Sequence, residues 1–256
     1  MTPLEASLVA LAGVAAGAIN TIVGSGTLIT FPTLLAFGVP PVTANVSNAI
    51  GLVPGGVSGA IGYRRELAGQ RGRVLRLASG TFIGAVLGAV LLLVLPPGAF
   101  EAIVPVLILL GLVLVVLQPR ISAWVARRHE HLGGVPEHGA WWVWPAVLLV
   151  GVYCGYFGAA QGVLMMAVLG IGVDDTLQRL NGAKNILGTL GNGVAGMVFV
   201  LLAFDTVDWR VALLIAVGSI IGGQLGATWG RRLPAAVLRV LIVVVGVTAL
   251  VVFLAR

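Results

Sequence analysis

Charge is what this chain has least of. Of 256 residues, 9% are Asp, Glu, Lys or Arg, against roughly 25% in a soluble domain. Hydrophobic residues make up 59% and mean hydropathy is +1.08. A soluble fold needs a polar surface that this composition cannot supply, whereas lipid around the perimeter removes the need. Cysteine occurs once, as Cys154, which excludes an internal disulfide and any multi-cysteine metal site. Lysine also occurs once, as Lys184. The nine acidic residues (Glu5, Glu66, Glu101, Glu130, Glu137, Asp174, Asp175, Asp205, Asp208) fall at the ends of apolar runs or between them. All three histidines, His129, His131 and His138, lie in one polar stretch, where solvated side chains are expected rather than a metal site. No carboxylate pair, metal cluster or nucleophile–base set falls at membrane depth, so neither an enzyme nor a cofactor is expected. A proton relay through a buried acid or histidine is excluded on the same grounds.

What the chain does have is apolar length and glycine. About 20 apolar residues span a bilayer as a helix. Runs of that kind are read at 4–22, 42–63, 74–95, 100–117, 140–157, 181–204, 209–229 and 234–255. The 37 glycines suit close approach between such helices. Five of the six tryptophans (Trp141, Trp142, Trp144, Trp209, Trp229) stand near run ends, where an interfacial aromatic belt belongs. The net charge of +6 does not point to nucleic acid. Its bases (Arg64, Arg65, Arg71, Arg73; Arg120, Arg127, Arg128; Arg231, Arg232) sit in short links between apolar runs, the pattern of cytoplasmic loops. Met1–Glu5 has no positive n-region and no polar domain follows the first run, so that run is expected to stay inserted.

Two further runs, 28–37 and 163–171, are each only ~15 Å of helix at 1.5 Å per residue. Each follows a glycine-broken tip, Val23-Gly24-Ser25-Gly26 in one case and Gly158-Ala159-Ala160-Gln161-Gly162 in the other, and both are read as broken or re-entrant elements. The two halves also repeat. Asn48, Gly51, Gly56, Val57 and Gly59 recur as Asn185, Gly188, Gly193, Val194 and Gly196, an offset of 137 (185 minus 48). Gly13 and Gly17 recur as Gly151 and Gly155, and Gly80, Gly84, Gly88 as Gly218, Gly222, Gly226, at an offset of 138 (218 minus 80). Leu95-Pro96 matches Leu233-Pro234 at that same offset. Equivalent links have opposite charge: 63–73 is basic where Asp205–Asp208 is acidic, and Pro96–Gly98 carries no base where Arg231 and Arg232 stand. The expectation is an all-α polytopic bundle of two inverted-topology repeats, residues 1–117 and 140–256, joined by a cytoplasmic linker at 118–139.

Ala16-Gly17-Ala18-Ile19-Asn20 through Gly24-Ser25-Gly26-Thr27-Leu28-Ile29-Thr30-Phe31-Pro32, with Gly38-Val39-Pro40-Pro41 and Ala44-Asn45, resembles the first signature of the TauE/SafE family of sulfite and organosulfur-anion transporters. Tyr153-Cys154-Gly155-Tyr156-Phe157-Gly158 with Gly162, then Ala183-Lys184-Asn185 and Asn192, resembles the second. The tips depart from the family pattern, with Ser25 interrupting the first glycine run and Ala159-Ala160-Gln161 replacing a glycine-richer second one. The resemblance covers nearly the whole chain outside the linker. It implies a multi-pass protein of the bacterial cytoplasmic membrane that moves small sulfur oxyanions or sulfonates. A passive anion channel or uniporter is the alternative. The partners expected are a small sulfur-containing anion and the lipid bilayer, with oligomerisation allowed and no nucleic acid.

Lys184 carries the site reading, because an ionisable group at membrane depth is expensive and its ammonium suits a small oxyanion. Asn181 and Asn185 flank it, and the first half offers Asn45 and Asn48. The tips Gly24, Ser25, Gly26 and Gly158, Gln161, Gly162 add backbone N–H groups and short-helix N-termini that favour anions. Thr27 is a further liner; Asn20, Thr21, Asn192 and Gln224 are weaker candidates. The competing reading of Lys184 is a side chain that snorkels to water, and of the glycines, a tight bend alone.

Overall fold

The computed structural model describes residues 1–129, 139–229 and 235–254. His131, His138, Glu130, Glu137, Arg231, Arg232 and the Leu233-Pro234 repeat element lie outside the described residues. Among those described there are helices and no strand. The helices are α1 (Pro3–Ile22), α2 (Thr27–Ala36), α3 (Pro41–Gly62), α4 (Arg71–Val94), α5 (Pro97–His129), α6 (Val143–Tyr156), α7 (Gln161–Gly172), α8 (Leu177–Leu202), α9 (Trp209–Trp229) and α10 (Ala235–Leu254). Starts follow local chemistry. Thr2 and Glu5 form a capping box at 3.3 and 2.7 Å with Pro3 opening α1, and the Thr176 hydroxyl accepts from the Arg179 N–H to cap α8.

The short elements fall within a residue or two of their expected places. The fifth run does not end at 117: α5 continues through Pro119 to His129, because polar residues such as Gln118 and Arg120 favour helix as readily as apolar ones do. Part of the stretch read as linker is therefore helical. Among the described residues, five helices are long and apolar enough to cross a bilayer: α1, α4, most of α5, α8 and α9. Their outward faces are apolar, with Leu75, Leu201 and Leu213 each about two-thirds exposed or more (67%, 72% and 66%). Asn45, Ser47, Asn48, Lys184, Asn185 and Asn192 are buried instead. Such an inside-out distribution belongs to a protein solvated by lipid. The chain is a multi-pass membrane protein.

Glycine positions decide which helices meet. Gly13 and Gly17 of α1 lie against Ile215 and Ser219 of α9, and a Cβ added to Gly17 would come within 2.9 Å of the Gly223 nitrogen. Gly151 and Gly155 of α6 lie in the same way against Thr81 and Ala85 of α4, where a Cβ on Gly151 would be 2.9 Å from the Thr81 oxygen. The partners thus exchange between halves: α1 of the first packs on α9 of the second, and α6 of the second packs on α4 of the first. Contacts also give directions. Gly51, Gly55 and Gly62 of α3 meet α9 at Ile215, Ser219 and Ala227 in ascending order, so α1, α3 and α9 run together. Gly56 of α3 meets Thr189 whereas Gly196 meets Ile50, so α8 runs against α3. α4 runs with α8, since Gln70 reaches the Arg179 carbonyl and Thr81 lies by Gly191. α1 and α6 are therefore antiparallel.

After α1 and after α6 the chain turns back at a tip. The first turn uses Gly24 at φ +86°, the second Gly158 at +75° and Ala160 at +55°, backbone that glycine adopts without the steric cost other residues carry. The Ala140 N–H bonds the Gly172 carbonyl at 2.8 Å, holding together the two ends of the second hairpin. The hairpins touch tip to tip, the Gly162 N–H donating to the Gly24 carbonyl at 3.0 Å.

Candidate substrate site

The tip contact brings four dissimilar surfaces to one small cavity of ≈ 20 Å³, room for about one water. The α1 terminus contributes Asn20, Thr21 and Gly24; the start of α7 gives Gln161, Gly162 and Met165; α8 gives Lys184, Asn185, Gly188 and Thr189; α3 gives Gly56. Lys184 is 2% exposed. Its Nζ donates to the Thr21 carbonyl at 3.3 Å and the Asn20 carbonyl at 3.4 Å, and it makes no ion pair among the described residues. The snorkelling alternative does not describe this side chain, which points inward.

Those two carbonyls are available because α1 ends there. Val23 and Gly24 N–H both fold back on the Ile19 carbonyl, at 2.7 and 3.1 Å, leaving Asn20 and Thr21 at the negative end of the helix dipole. Asn181 and Asn185 add donors to the Thr21 carbonyl at 3.5 and 3.3 Å. Three donors share the Thr21 carbonyl, which has two lone pairs, and all four contacts are longer than the usual 2.7–3.2 Å. The Lys184 ammonium has a third N–H beyond its two carbonyl contacts. Facing it is the N-terminus of α7, the positive end of that helix.

Not every expected residue converges here. Lys184, Asn185, Gly24, Gln161 and Gly162 line the cavity. Asn181 bonds the same Thr21 carbonyl but lines a larger vestibule next to it, ≈ 250 Å³, with Ile22, Val23, Tyr63, Gln118 and Met166. Asn45 is turned elsewhere: it caps the last carbonyl of α6, Tyr156, at 2.9 Å. Asn48 is spent on Thr27 (3.2 Å) and on Thr30. Asn45 thus serves the end of α6 as Asn181 and Asn185 serve the end of α1. Ser25, 1% exposed, has no hydrogen-bond partner for its hydroxyl among the described residues. Gly26 abuts α1 near Asn20, and Gly158 shapes the turn without lining the cavity. Of the weaker candidates, Asn20 and Thr21 are at the centre, chiefly through their carbonyls. Asn192 faces Cys154 at 3.7 Å and Gln224 faces Ser58 at 3.4 Å. Thr189 was not anticipated; it lies one turn beyond Asn185 on the same helix face, a spacing that could have flagged it.

The chain matches the sulfite exporter TauE/SafE family over residues 9–253. It belongs to that family. Its relatives agree in class. It is 29% identical over 245 residues (91% of this chain, 85% of the relative) to the probable membrane transporter protein ORF9 of Sinorhizobium sp. It is 25% identical over 228 residues (89% and 81%) to the probable membrane transporter protein YfcA of Escherichia coli strain K12. A probable membrane transporter protein of Haemophilus influenzae is 25% identical over 218 residues (84% and 81%). No solved structure gives a significant match. Family and relatives make this TauE/SafE chain a membrane transporter.

A second polar cluster of this TauE/SafE protein lies at the end of the molecule that carries the α3–α4 link. Arg73, 6% exposed, pairs with Asp175 of the α7–α8 link, and Asp175 also takes Arg179 at 2.8 Å. Arg179 reaches the Ala68 carbonyl at 3.0 Å. Burial raises the Asp175 pKa, but hydrogen bonds from Arg179, Arg73 and the Thr176 N–H, with the Arg73 charge, outweigh it and hold the carboxyl below the usual carboxylate range. By sequence Arg73 is one of the bases in the link between two apolar runs. Its partner stands 102 residues away, and no local pattern announces such a pair.

Proposed function

We propose that this protein carries a small sulfur oxyanion or short sulfonate across the membrane by alternating access about the cavity between the hairpin tips. The buried Lys184 ammonium, with one N–H more than its two carbonyl contacts use, faces the N-terminus of α7 across the cavity and carries this reading. An oxyanion supplies a charged acceptor for it. Room for about one water favours a carrier over an open pore.

The halves 1–117 and 140–256 are read as inverted repeats, with 118–139 joining them on the cytoplasmic side. This draws support from the exchanged glycine-lined pairs α1–α9 and α6–α4, and from the opposed directions of α1 and α6. In that frame the two hairpins enter from opposite sides. The vestibule at Asn181 opens toward the basic 63–73 link and would be the cytoplasmic approach. Four rings, Phe31, Phe100, Tyr156 and Phe157, stack edge to face at 5.0–6.5 Å between centroids and would close the other side. A thermal-shift screen of purified protein against sulfite, sulfate, sulfoacetate, acetate and chloride tests the substrate class. Stabilisation by a sulfur oxyanion and not by acetate or chloride is expected; the reverse order refutes it.

A further inference from the structure

The residues that hold Lys184 have a chemistry of their own. Two main-chain oxygens, of Asn20 and Thr21, converge on one Nζ at 3.4 and 3.3 Å. Both belong to the last turn of α1, and neither is taken by the helix ladder, because Val23 and Gly24 both fold onto Ile19. The Asn20 oxygen has the ammonium as its only donor among the described residues. Paired carbonyls at a helix C-terminus, deep inside a protein, form a site for a small monovalent cation. Lys184 enters from α8 and fills it.

We propose that the α1 terminus is a monovalent-cation site permanently occupied by the Lys184 ammonium, so that the charge facing the cavity is a tethered counter-ion fixed by α1. The charges then alternate from the α1 carbonyls to the ammonium, the cavity and the N-terminus of α7. This deepens the anion-carrier reading and rests on it for the cavity's occupant, but the cation site itself stands on the α1 geometry alone. It also accounts for the position of the lysine. A cationic side chain with no carboxylate partner among the described residues is held by main-chain oxygens that cannot be lost by substitution. The cavity is thereby left electropositive without a mobile cation having to bind.

The test is chemical rescue. Lys184→Ala opens an ammonium-sized space beside the two carbonyls, whereas Lys184→Met fills that space with an uncharged chain. Thermal unfolding of parent, Lys184→Ala and Lys184→Met in detergent is compared in ammonium chloride and in N-methylglucamine chloride at equal ionic strength, with no oxyanion present. Ammonium is expected to raise the Tm of Lys184→Ala by about 3–6 °C, the shift that a ligand near tenfold its Kd gives a chain of this size, and to leave the parent and Lys184→Met unchanged. Equal Tm values for Lys184→Ala in the two salts overturn the proposal, as does an ammonium effect of the same size on Lys184→Met. A Lys184→Ala protein that can be purified in neither salt overturns it too, since an occupied site restores the lost cation. A separate arm adds sulfite. Sulfite binding by Lys184→Ala as tight as the parent's removes the lysine from the anion site and leaves the cation site to stand or fall on the ammonium result.

Discussion

The contact between the hairpin tips can be tested with a single methyl group. A methyl group at Gly162 would be driven into the main chain of Gly24, coming 3.0 Å from its carbonyl oxygen and 3.2 Å from its carbonyl carbon, and closer still to its Cα. All of these are backbone atoms in a turn at φ +86°, so no side chain can swing aside. Overpacking of that kind costs about 1–3 kcal/mol. Strain on the Gly162–Gly24 hydrogen bond adds about 1 kcal/mol, and alanine's better helix propensity returns up to about 1 kcal/mol. The net for Gly162→Ala is about 1–3 kcal/mol, or roughly 2–12 °C in Tm at 2–4 °C per kcal/mol. Because the shift must part the tips that close the cavity, transport should fall more than stability does. Gly98→Ala is the control: its Cβ meets nothing within 4 Å, and it should be neutral or slightly stabilising. Tm in detergent and uptake by proteoliposomes measure both. A Gly162→Ala protein as stable and as fast as the parent would show that the tips do not meet as described.

Three further expectations rest on other parts of the molecule. Asp175, held below the usual carboxylate range, contributes stability that is complete above its ordinary pKa of about 3.9 and is lost as pH falls through the depressed value; Asp175→Asn should flatten this acid limb of the stability–pH curve, and an unchanged limb would contradict the assignment. Cysteine labelling from each side in a Cys154→Ala background should place links 63–73 and 205–208 on opposite faces of the membrane; labelling from the same face would sink the inverted arrangement. Replacing each of the nine acidic residues singly by its amide should leave substantial flux in folded protein, and a single replacement that abolishes uptake would reveal a carboxylate on the transport route.

Composition and periodicity made the membrane-spanning class and the broken elements legible, because a hydrophobic run and a glycine-broken tip are local features. The glycine positions 13, 17, 151 and 155 were legible as a repeat, but not as an exchange of partners between halves, which depends on where distant helices lie. Lys184 stood out as the only lysine. That α1 offers it two carbonyls was hidden, since every residue has a carbonyl and only the folding of Val23 and Gly24 onto Ile19 frees those of Asn20 and Thr21. Asn45 and Asn48 share a repeat motif with the site but are consumed by the Tyr156 carbonyl and by Thr27 and Thr30. The motif records a common backbone task, capping a broken helix, as much as a common ligand. α5 ran past its apolar stretch because a polar residue ends the buried length of a helix without ending the helix.

The central claim, that Lys184 holds a transported sulfur oxyanion, is tested most directly by uptake of labelled sulfite into proteoliposomes containing the parent, Lys184→Ala or Lys184→Arg. Losing one side of a charge-assisted hydrogen bond costs about 1.5–3 kcal/mol, so Lys184→Ala should weaken apparent affinity roughly ten- to a hundredfold at ~1.4 kcal/mol per decade. Lys184→Arg should recover only part of it, because a planar fork fits neither two converging carbonyls nor a cavity of ≈ 20 Å³ as a compact ammonium does. Saturable sulfite uptake by the parent with that order of loss is the predicted result; folded Lys184→Ala protein that takes up sulfite with the parent's affinity would contradict the account.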